Sequence, residues 1–285
     1  MTQATLALDL QTAPTAPIPR PMPRHYTAET LSLEGPDAIA FAQAQFSSQV
    51  TALSDGQWQF SAWLDAQGRV RALFHLARLA EDRLLLLLRG GDAASMADAL
   101  RRFVFRSKVI VQALPSRTLG TGDAMTTHTV NETPVLMFGC DTHSLVIGAH
   151  EDDAWRLSHI RAGWPWLPDS ALNALLPPAL SLERLQGVAF DKGCYPGQEI
   201  VARLHYRGGH KRHMHCVVLS QPVSAGSVLR DGAQEIAHVL DAIAVDAHSE
   251  ALAIISDAIE EQANRDVLRI ANDNIEVRLQ QRWPA

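Results

Sequence analysis

The segment from Trp58 to Leu88 carries three successive β-strand patterns separated by short turns, and this feature restricts the possible folds most. Large apolar residues alternate over Trp58–Leu64, and the turn Asp65–Gly68 follows with glycine at its last position. A second alternating pattern covers Val70–Leu76, so the two strands form a hairpin. The leucine-rich run Arg83–Leu88 is typical of a third, buried strand.

Helix patterns flank these strands on both sides. Gly35-Pro36 followed by Asp37 is typical of a helix start, with proline in the first turn and an acid beside it. Ala93–Val104 predicts a second helix, and Val109–Ala113 predicts a further strand. The order helix, three strands, helix, strand indicates an α+β arrangement of the ferredoxin-like kind.

The residue pattern of the second half of the chain changes at two points. Residues 115–133 are polar and rich in turn residues, residues 135–147 predict a hairpin, and Glu151–Ile160 predicts a helix. Leu180–Leu185 indicates a short apolar turn or helix. From His213 onward, short alternating runs are divided by Gly, Asp, Asn and Ser, which predicts a small all-β domain at the C-terminus.

Composition excludes several classes of protein. The 285 residues carry 25 Lys and Arg against 31 Asp and Glu, a formal charge of −6, which argues against a protein that coats itself with nucleic acid. The longest run of large aliphatic residues, Leu84–Leu88, is far too short for a membrane span. Three widely spaced cysteines indicate a reducing compartment, so we expect the cytoplasm. No heptad pattern demands an oligomer, and we expect a monomer.

The octapeptide Lys192–Glu199, Lys-Gly-Cys-Tyr-Pro-Gly-Gln-Glu, is the most informative stretch of the sequence. Gly197 ends the extended chain and Gln198 opens a predicted helix, so Cys194 lies just before a helix N-terminus and close to Lys192. The helix dipole and a neighbouring ammonium group both favour a thiolate. Cys194 is therefore the candidate reactive group, although most isolated cysteines are small core residues.

This octapeptide resembles the signature of the YgfZ folate-binding proteins, which are relatives of the glycine-cleavage T-protein (GcvT), an aminomethyltransferase. The resemblance covers essentially residues 29–285. It continues in Gln43–Val50, Asp65–Arg69, Phe105–Val109, Arg161–Pro165, Leu182–Phe190, Arg203, Arg207–Gly209 and Lys211-Arg212.

The resemblance implies a GcvT-like α+β fold, in which two ferredoxin-like subdomains surround a central opening and a small β-barrel follows. It implies a folate-binding region at 25–210 with one subdomain over roughly 55–115, and a barrel at 211–285. Residues 1–24 are rich in proline and poor in large apolar residues, and this composition predicts a disordered tail. The implied cofactor is tetrahydrofolate, and the implied role is support of iron–sulfur cluster assembly or repair, and through it tRNA thio-modification. Cys194 would contact a cluster or a client protein transiently.

The resemblance also implies the residues of the site. Cys194 and Lys192 are the candidate catalytic residues. The candidate folate-binding and loop residues are Trp155, Tyr195, Gly197, Gln198, Glu199 and Arg203. An indole such as that of Trp155 stacks well on a flat pterin, although a tryptophan at a helix end is equally typical of a core.

Departures from the family pattern leave two alternatives open. Aminomethyltransferases carry an acidic pair where this chain has Arg71 and Ala72, so a folate-dependent aminomethyl transfer lacks its carboxylate. Direct binding of tRNA phosphates is the other alternative, through the basic run Arg203, Arg207, Lys211 and Arg212.

A metal site built from the cysteines and histidines of this region matches no closed zinc spacing, and we expect none. The residues weighed for it are Cys194, His205, His210, His213, His215 and Cys216.

Overall fold

The computed structural model describes residues 27–263, 267–270 and 274–284. The predicted disordered tail, residues 1–24, lies outside the described residues. The described chain forms three antiparallel sheets of five, five and six strands with short helices between them. None of the described helices has the length and apolar character needed to cross a membrane.

The first sheet has the strand order β3-β4-β5-β2-β6. Its elements are β2 (Thr30–Glu34), α1 (Ala38–Gln45), β3 (Gln57–Leu64), β4 (Val70–Ala80), β5 (Arg83–Leu88), α2 (Ala93–Arg101) and β6 (Ile110–Ala113). Without the edge strand β3, this is the βαββαβ order of a ferredoxin-like subdomain, as the sequence pattern predicts. The strand β2 was missed by the pattern analysis, although it lies in the sheet between β5 and β6.

Both faces of the first sheet are buried, which explains the leucine run of β5. Leu84 and Leu86 pack under α1 and α2 in one core cluster, whereas Leu85 and Leu87 face the second sheet in another. Successive side chains of a strand point to opposite faces, so a strand covered on both sides carries apolar residues without interruption.

The second sheet has the strand order β1-β7-β10-β9-β8 and packs against the first sheet. Its strands are β1 (Thr27–Ala28), β7 (Arg117–Gly122), β8 (Val130–Asn131), β9 (Leu136–Gly139) and β10 (Ser144–Ile147). The expected turn region at 115–133 therefore contains the short strand β8 and a longer strand, β7. Its two glycines look like turn residues, but a Cβ at Gly122 would lie 2.5 Å from the Ser144 Oγ, so close packing against β10 requires glycine there.

Helix α3 (Trp155–Ala162) follows the second sheet and begins later than the sequence predicts. The reason is Asp152, whose carboxylate accepts hydrogen bonds from the backbone N–H groups of Thr121 and Ala154 and holds the preceding residues outside the helix. Two 3₁₀ turns, Asp169–Ala171 and Pro177–Leu180, then lead to α4 (Gln198–Arg207).

The C-terminal sheet has the strand order β12-β13-β14-β11-β16-β15, and its edge strands approach each other so that it is nearly closed into a barrel. Its elements are β11 (Arg212–Leu219), β12 (Val228–Asp231), β13 (Gln234–Val245), β14 (His248–Ser256), α5 (Asp257–Glu260), β15 (Val267–Ile270) and β16 (Ile275–Arg282). The all-β character expected from His213 onward is confirmed. The domain limits given above remain predictions.

Helix α3 is attached to the barrel by two ion pairs, of which Arg156–Asp241 is buried on both sides and Arg161–Glu250 only at the carboxylate. The Arg156 guanidinium donates to the Asp241 carboxylate and, at 2.6 Å, to the Ala242 carbonyl oxygen. Asp241 is only 2% exposed. Arg161 of the same helix pairs with Glu250 on β14. A buried charge is costly without a partner, so these contacts set where the barrel lies against the rest of the chain.

Arg156→Met should lower the free energy of unfolding by about 3–5 kcal/mol, because it leaves the Asp241 carboxylate buried without the guanidinium that faces it. Arg269→Met is the control, because Arg269 pairs with Glu276 at an exposed position and should cost less than about 1 kcal/mol. Urea denaturation measures both. Equal losses in the two variants would contradict the assignment.

Candidate functional site

The Lys192–Glu199 segment is a loop that ends in helix α4, and Gly197 makes the junction. Gly197 has φ = +78°, a conformation that favours glycine, and α4 begins at the next residue, Gln198. The helix start predicted from the sequence is therefore confirmed. The α4 residues Val201 and Leu204 face inward, and Val201 is fully buried.

Two glycine-containing turns of the sequence, 65–68 and 194–197, pack directly against each other. A Cβ on Gly197 would lie 2.5 Å from the Asp65 carbonyl oxygen and 2.7 Å from the Gly68 Cα. A Cβ on Gly68, which has φ = +76°, would lie 3.2 Å from the Cβ of Ile200. The hairpin turn between β3 and β4 thus serves as the platform on which α4 starts, and neither glycine accepts a side chain without displacement.

The segment after α1 holds the other end of the loop. Ser47 Oγ donates to the Gly187 carbonyl oxygen at 2.6 Å, and the Ala189 N–H donates to the Ser47 carbonyl oxygen at 2.8 Å. The Lys192 Nζ donates to the carbonyl oxygens of Phe46 and Ser48 at 2.7 and 2.6 Å. Lys192 is buried, and this burial lowers its pKa to about 8.

Tyr195 and Gln198 anchor the loop, whereas Cys194 is exposed. The Tyr195 ring is buried, and its centroid lies 5.1 Å from the Lys192 Nζ. The Tyr195 hydroxyl donates to the Ala189 carbonyl oxygen, and burial raises the pKa of this hydroxyl to about 12. Gln198 donates to the Lys192 carbonyl oxygen at 3.4 Å. The Cys194 thiol is accessible, and open space surrounds the neighbouring Gly193.

The ammonium group of Lys192 is not the partner of the Cys194 thiol. It is directed into the 46–48 segment, and no hydrogen bond between the two side chains occurs in the part of the chain that the structure describes. The observed role of Lys192 is to position the loop. Its catalytic role remains a prediction.

Glu199 and Arg203 lie one turn apart on the outer face of α4. Both are exposed, and neither side chain makes a hydrogen bond or an ion pair within residues 27–263 or the two described segments beyond them. They are therefore accessible to a ligand or partner, and Arg203 does not anchor the helix.

Trp155 packs in a cluster of aromatic rings at the start of helix α3. Its ring is 1% exposed and packs against Trp166 at 4.9 Å and His159 at 5.0 Å between centroids. Its indole N–H donates to the Asp152 carbonyl oxygen at 3.2 Å. The half-buried rings in this cluster belong to Trp164 and Trp166. A folate role for Trp155 remains a prediction.

Arg89 is the centre of this cluster, and it was not among the site residues predicted from the sequence. Its fully buried guanidinium donates to the carbonyl oxygens of Trp164 and Pro165, both at 2.9 Å, and lies 3.3 Å from His75 Nε2 and 3.2 Å from His159 Nδ1. An arginine directly after the buried leucine run of β5 was the available signal, since arginine is seldom fully buried.

The buried guanidinium determines the protonation of the histidines around it. Burial and, second, the Arg89 charge lower the pKa of His159 and of His75 well below the ordinary value. Arginine only donates, so His159 Nδ1 accepts and its Nε2 carries the proton. That Nε2 then donates to His143 Nε2 at 3.1 Å.

This arrangement opposes a metal ion at the one group of candidate ligands found in the described residues, Cys140, His143 and His159. Their ligand atoms lie within 4.8 Å of one another. However, His159 is protonated at the nitrogen that would bind the metal, and burial raises the Cys140 pKa to about 12. A cation would also lie near the Arg89 charge.

The residues weighed for a metal from the sequence do not converge either. His213 Nε2 lies 3.1 Å from an Asp257 carboxylate oxygen, and His215 Nε2 lies 3.5 Å from a Glu260 carboxylate oxygen. The Arg282 guanidinium lies 3.1 Å from both of these carboxylates, in the space that a cation would need. Cys194 is exposed on its loop, and Cys216 is buried in β11.

The comparisons with known proteins define the class first. No family model matches the chain. The structure is similar to the aminomethyltransferase T of the glycine cleavage system from Bartonella henselae, with a TM-score of 0.67, 16% identity, and coverage of 89% of this chain and 82% of that one. The protein therefore has the aminomethyltransferase T fold, and the predicted GcvT-like α+β class is confirmed.

The sequence relatives are more specific. The tRNA-modifying protein YgfZ of Aliivibrio fischeri is 30% identical over 213 residues, covering 65% of this chain and 67% of the relative. The YgfZ protein of Colwellia psychrerythraea is 26% identical over 235 residues, 70% and 72% of the two chains. An uncharacterized protein of Haemophilus influenzae is 30% identical over 194 residues, 65% and 69%. The chain belongs to the YgfZ family, as the octapeptide indicates.

Lys192→Met should lower the free energy of unfolding by roughly 1–3 kcal/mol, because the Phe46 and Ser48 carbonyl groups lose their donor. The pKa of Lys192 is about 8 in the folded chain against an ordinary 10.5, so between these values the unfolded state binds more protons. Wild-type stability therefore rises relative to the variant as pH increases from 8 to 10.5.

Urea denaturation of both proteins at the two ends of this pH window measures the effect. Lys211→Met is the matched control, because Lys211 is an exposed lysine and should change neither the stability nor its pH dependence. Parallel pH profiles for wild type and Lys192→Met would contradict the buried position of the ammonium group.

Proposed function

We propose that the protein is a tRNA-modification factor that acts through Cys194 to support the assembly or repair of iron–sulfur cluster proteins. The observation that carries this proposal is an accessible thiol on a loop that is locked on both sides by buried contacts. Relatives that carry the name tRNA-modifying protein support the coarser part of the proposal. The finer part, contact with a cluster or with its client proteins, rests on the sequence resemblance.

The surroundings of Cys194 suit contact with another macromolecule. A thiol at a loop tip reaches a cluster on a partner more easily than a thiol in a cleft does, and the open space at Gly193 lets the partner approach the backbone. Rigid anchoring of Lys192 and Tyr195 keeps the thiol in one place while leaving it uncovered. We infer that the protein works in the cytoplasm as a monomer, where its free thiols remain reduced.

We further propose that tetrahydrofolate binds beside the Arg89 cluster, where it would carry one-carbon units. Half-buried Trp164 and Trp166 present ring surface for a flat pterin. His75 Nδ1 is buried there without a hydrogen-bond partner in the described residues, and the His75 ring stacks on the Trp58 ring with centroids 3.9 Å apart. Aromatic faces and an unsatisfied polar nitrogen fit a pterin, so the residues present are compatible with this cofactor.

Aminomethyl transfer is the weaker alternative for this chain. Arg71 lies over the Trp63 ring at 3.9 Å, and Ala72 is buried against the helices of the first sheet. Neither position offers a carboxylate that could act as a base or stabilise a cation. The structure therefore favours a role in which folate is bound without transfer of an aminomethyl group.

Cys194→Ala should leave the fold intact and abolish support of iron–sulfur enzymes, because an exposed side chain contributes little to stability. The measurement is the activity of a cluster enzyme and the level of thio-modified tRNA in cells that lack their own copy of this protein. Cys216→Ala, which removes a buried thiol, is the control and should retain function. Full complementation by Cys194→Ala would exclude the proposed role of the thiol.

Tetrahydrofolate should quench the tryptophan fluorescence of the purified protein saturably, because it binds beside several indole rings. Trp166→Phe and Trp155→Phe should each reduce the quenching, whereas Trp63→Phe, whose ring packs in the other core cluster beneath Arg71, should not. The absence of saturable quenching at high micromolar folate, or an equal loss in Trp63→Phe, would contradict folate binding at this cluster.

A further inference from the structure

A groove of about 260 Å³ lies between α4 and the 3₁₀ turn at Pro177–Leu180, and neither Cys194 nor Arg89 lines it. Its walls include Pro177, Phe190, Leu204 and His205. This volume lies just below the usual range for ligand pockets, roughly 300–1,000 Å³, so the groove fits one ring system and not an extended molecule.

The groove has a flat aromatic wall with polar groups beside it. The ring of Phe190 stacks on that of His205, with centroids 4.1 Å apart and planes 23° apart. Glu183 accepts a hydrogen bond from His205 Nδ1 at 2.9 Å and has a second carboxylate oxygen available. His210 also lines the groove, and its Nε2 is buried and has no hydrogen-bond partner in the described chain. A planar ligand with N–H groups on its edge matches this set.

Positive charge lies at one rim of the groove. On the α4 helix, Val201, Leu204 and His205 line the groove, and the helical spacing places Arg207 beside Leu204. Arg203 falls on the opposite face. Lys211 follows His210 directly. Both Arg207 and Lys211 are exposed, and neither side chain forms an ion pair with a described residue.

The backbone between these two cations is also accessible. Gly208 and Gly209 line the groove with φ = +67° and +97°, and no atom lies within 4 Å of the position that a Cβ would occupy at either residue. A chain of phosphates can therefore pass along this rim without meeting a side chain at positions 208 and 209.

We propose that this groove binds one unstacked nucleobase of single-stranded RNA, with the adjoining phosphates on Arg207 and Lys211. The Phe190–His205 wall stacks on the base, and Glu183 accepts hydrogen bonds from its ring or amino N–H groups. The proposal deepens the proposed function by naming the RNA contact, and it rests on that function only for its biological setting. This binding differs from non-specific electrostatic binding of nucleic acid along the surface. Here one base fills the groove, and two cations bind only the phosphates next to that base.

The test is a fluorescence-anisotropy titration of the full chain with a short, labelled single-stranded RNA at several salt concentrations. His205→Ala should weaken binding about ten-fold, as expected for the loss of one stacked base, without changing the salt dependence. Arg207→Ser should reduce the slope of log affinity against log salt by about 0.7, as expected for one lost phosphate contact on a single strand.

Arg102→Ser is the matched control, because Arg102 is an exposed arginine with no ion pair in the described residues and lies at the end of α2, outside the groove. It should change neither the affinity nor the salt slope. Thermal unfolding checks that each variant is folded, and Leu204→Phe, which fills the groove from a half-buried position, provides a second route to the same loss.

Three results would overturn the proposal. They are the absence of RNA binding by the wild type at low salt, equal effects of Arg102→Ser and Arg207→Ser, and displacement of the RNA by tetrahydrofolate, which would make the groove a pterin site. This test is independent of the test of the proposed function. Cys194→Ala should bind RNA as the wild type does, so a result against the role of Cys194 would not change the RNA proposal. A result against RNA binding in the groove would likewise not change the proposed role of Cys194.

Discussion

The position of the Cys194 loop depends on a buried lysine that is held by carbonyl oxygens. The Lys192 ammonium donates to Phe46 and Ser48, the segment that joins α1 to the first sheet, and it does so from the base of the loop. Carbonyl oxygens satisfy the donors but compensate the charge only in part, which is why burial lowers the lysine pKa. Burial of the ammonium group costs free energy, and it fixes the base of the loop from which the exposed thiol projects.

The same principle recurs at Arg89, where a second buried cation organises its surroundings. Main-chain carbonyl groups and two neutral histidines accept from its guanidinium, and this fixes the tautomer of His159 and, through it, that of His143. The two cations order different contacts. Arg89 orders the rings around His159 and Trp155, and Lys192 holds the octapeptide loop.

The sequence predicted strands and helices correctly where the repeat of apolar residues matches the faces that the fold buries. The hairpin β3–β4, the buried strand β5 and the start of α4 lie where alternation, the leucine run and the Gly197-Gln198 boundary predict them. It failed at β7, whose glycines satisfy close strand packing and not a turn. It also failed at β2, which was overlooked before the Gly35-Pro36 helix start although it lies inside the first sheet.

The sequence by itself determined the family, the α+β class and the identity of the loop residues, because the octapeptide and the strand patterns are local and need no partner to be recognised. Only the tertiary structure decided what each of those residues contacts. Lys192 was expected beside the thiol and instead reaches residues 46 and 48, and Gly197 lies against Gly68 from a hairpin far earlier in the chain. Such contacts join segments more than a hundred residues apart, and their direction depends on how sheets and loops pack, which no short-range pattern encodes.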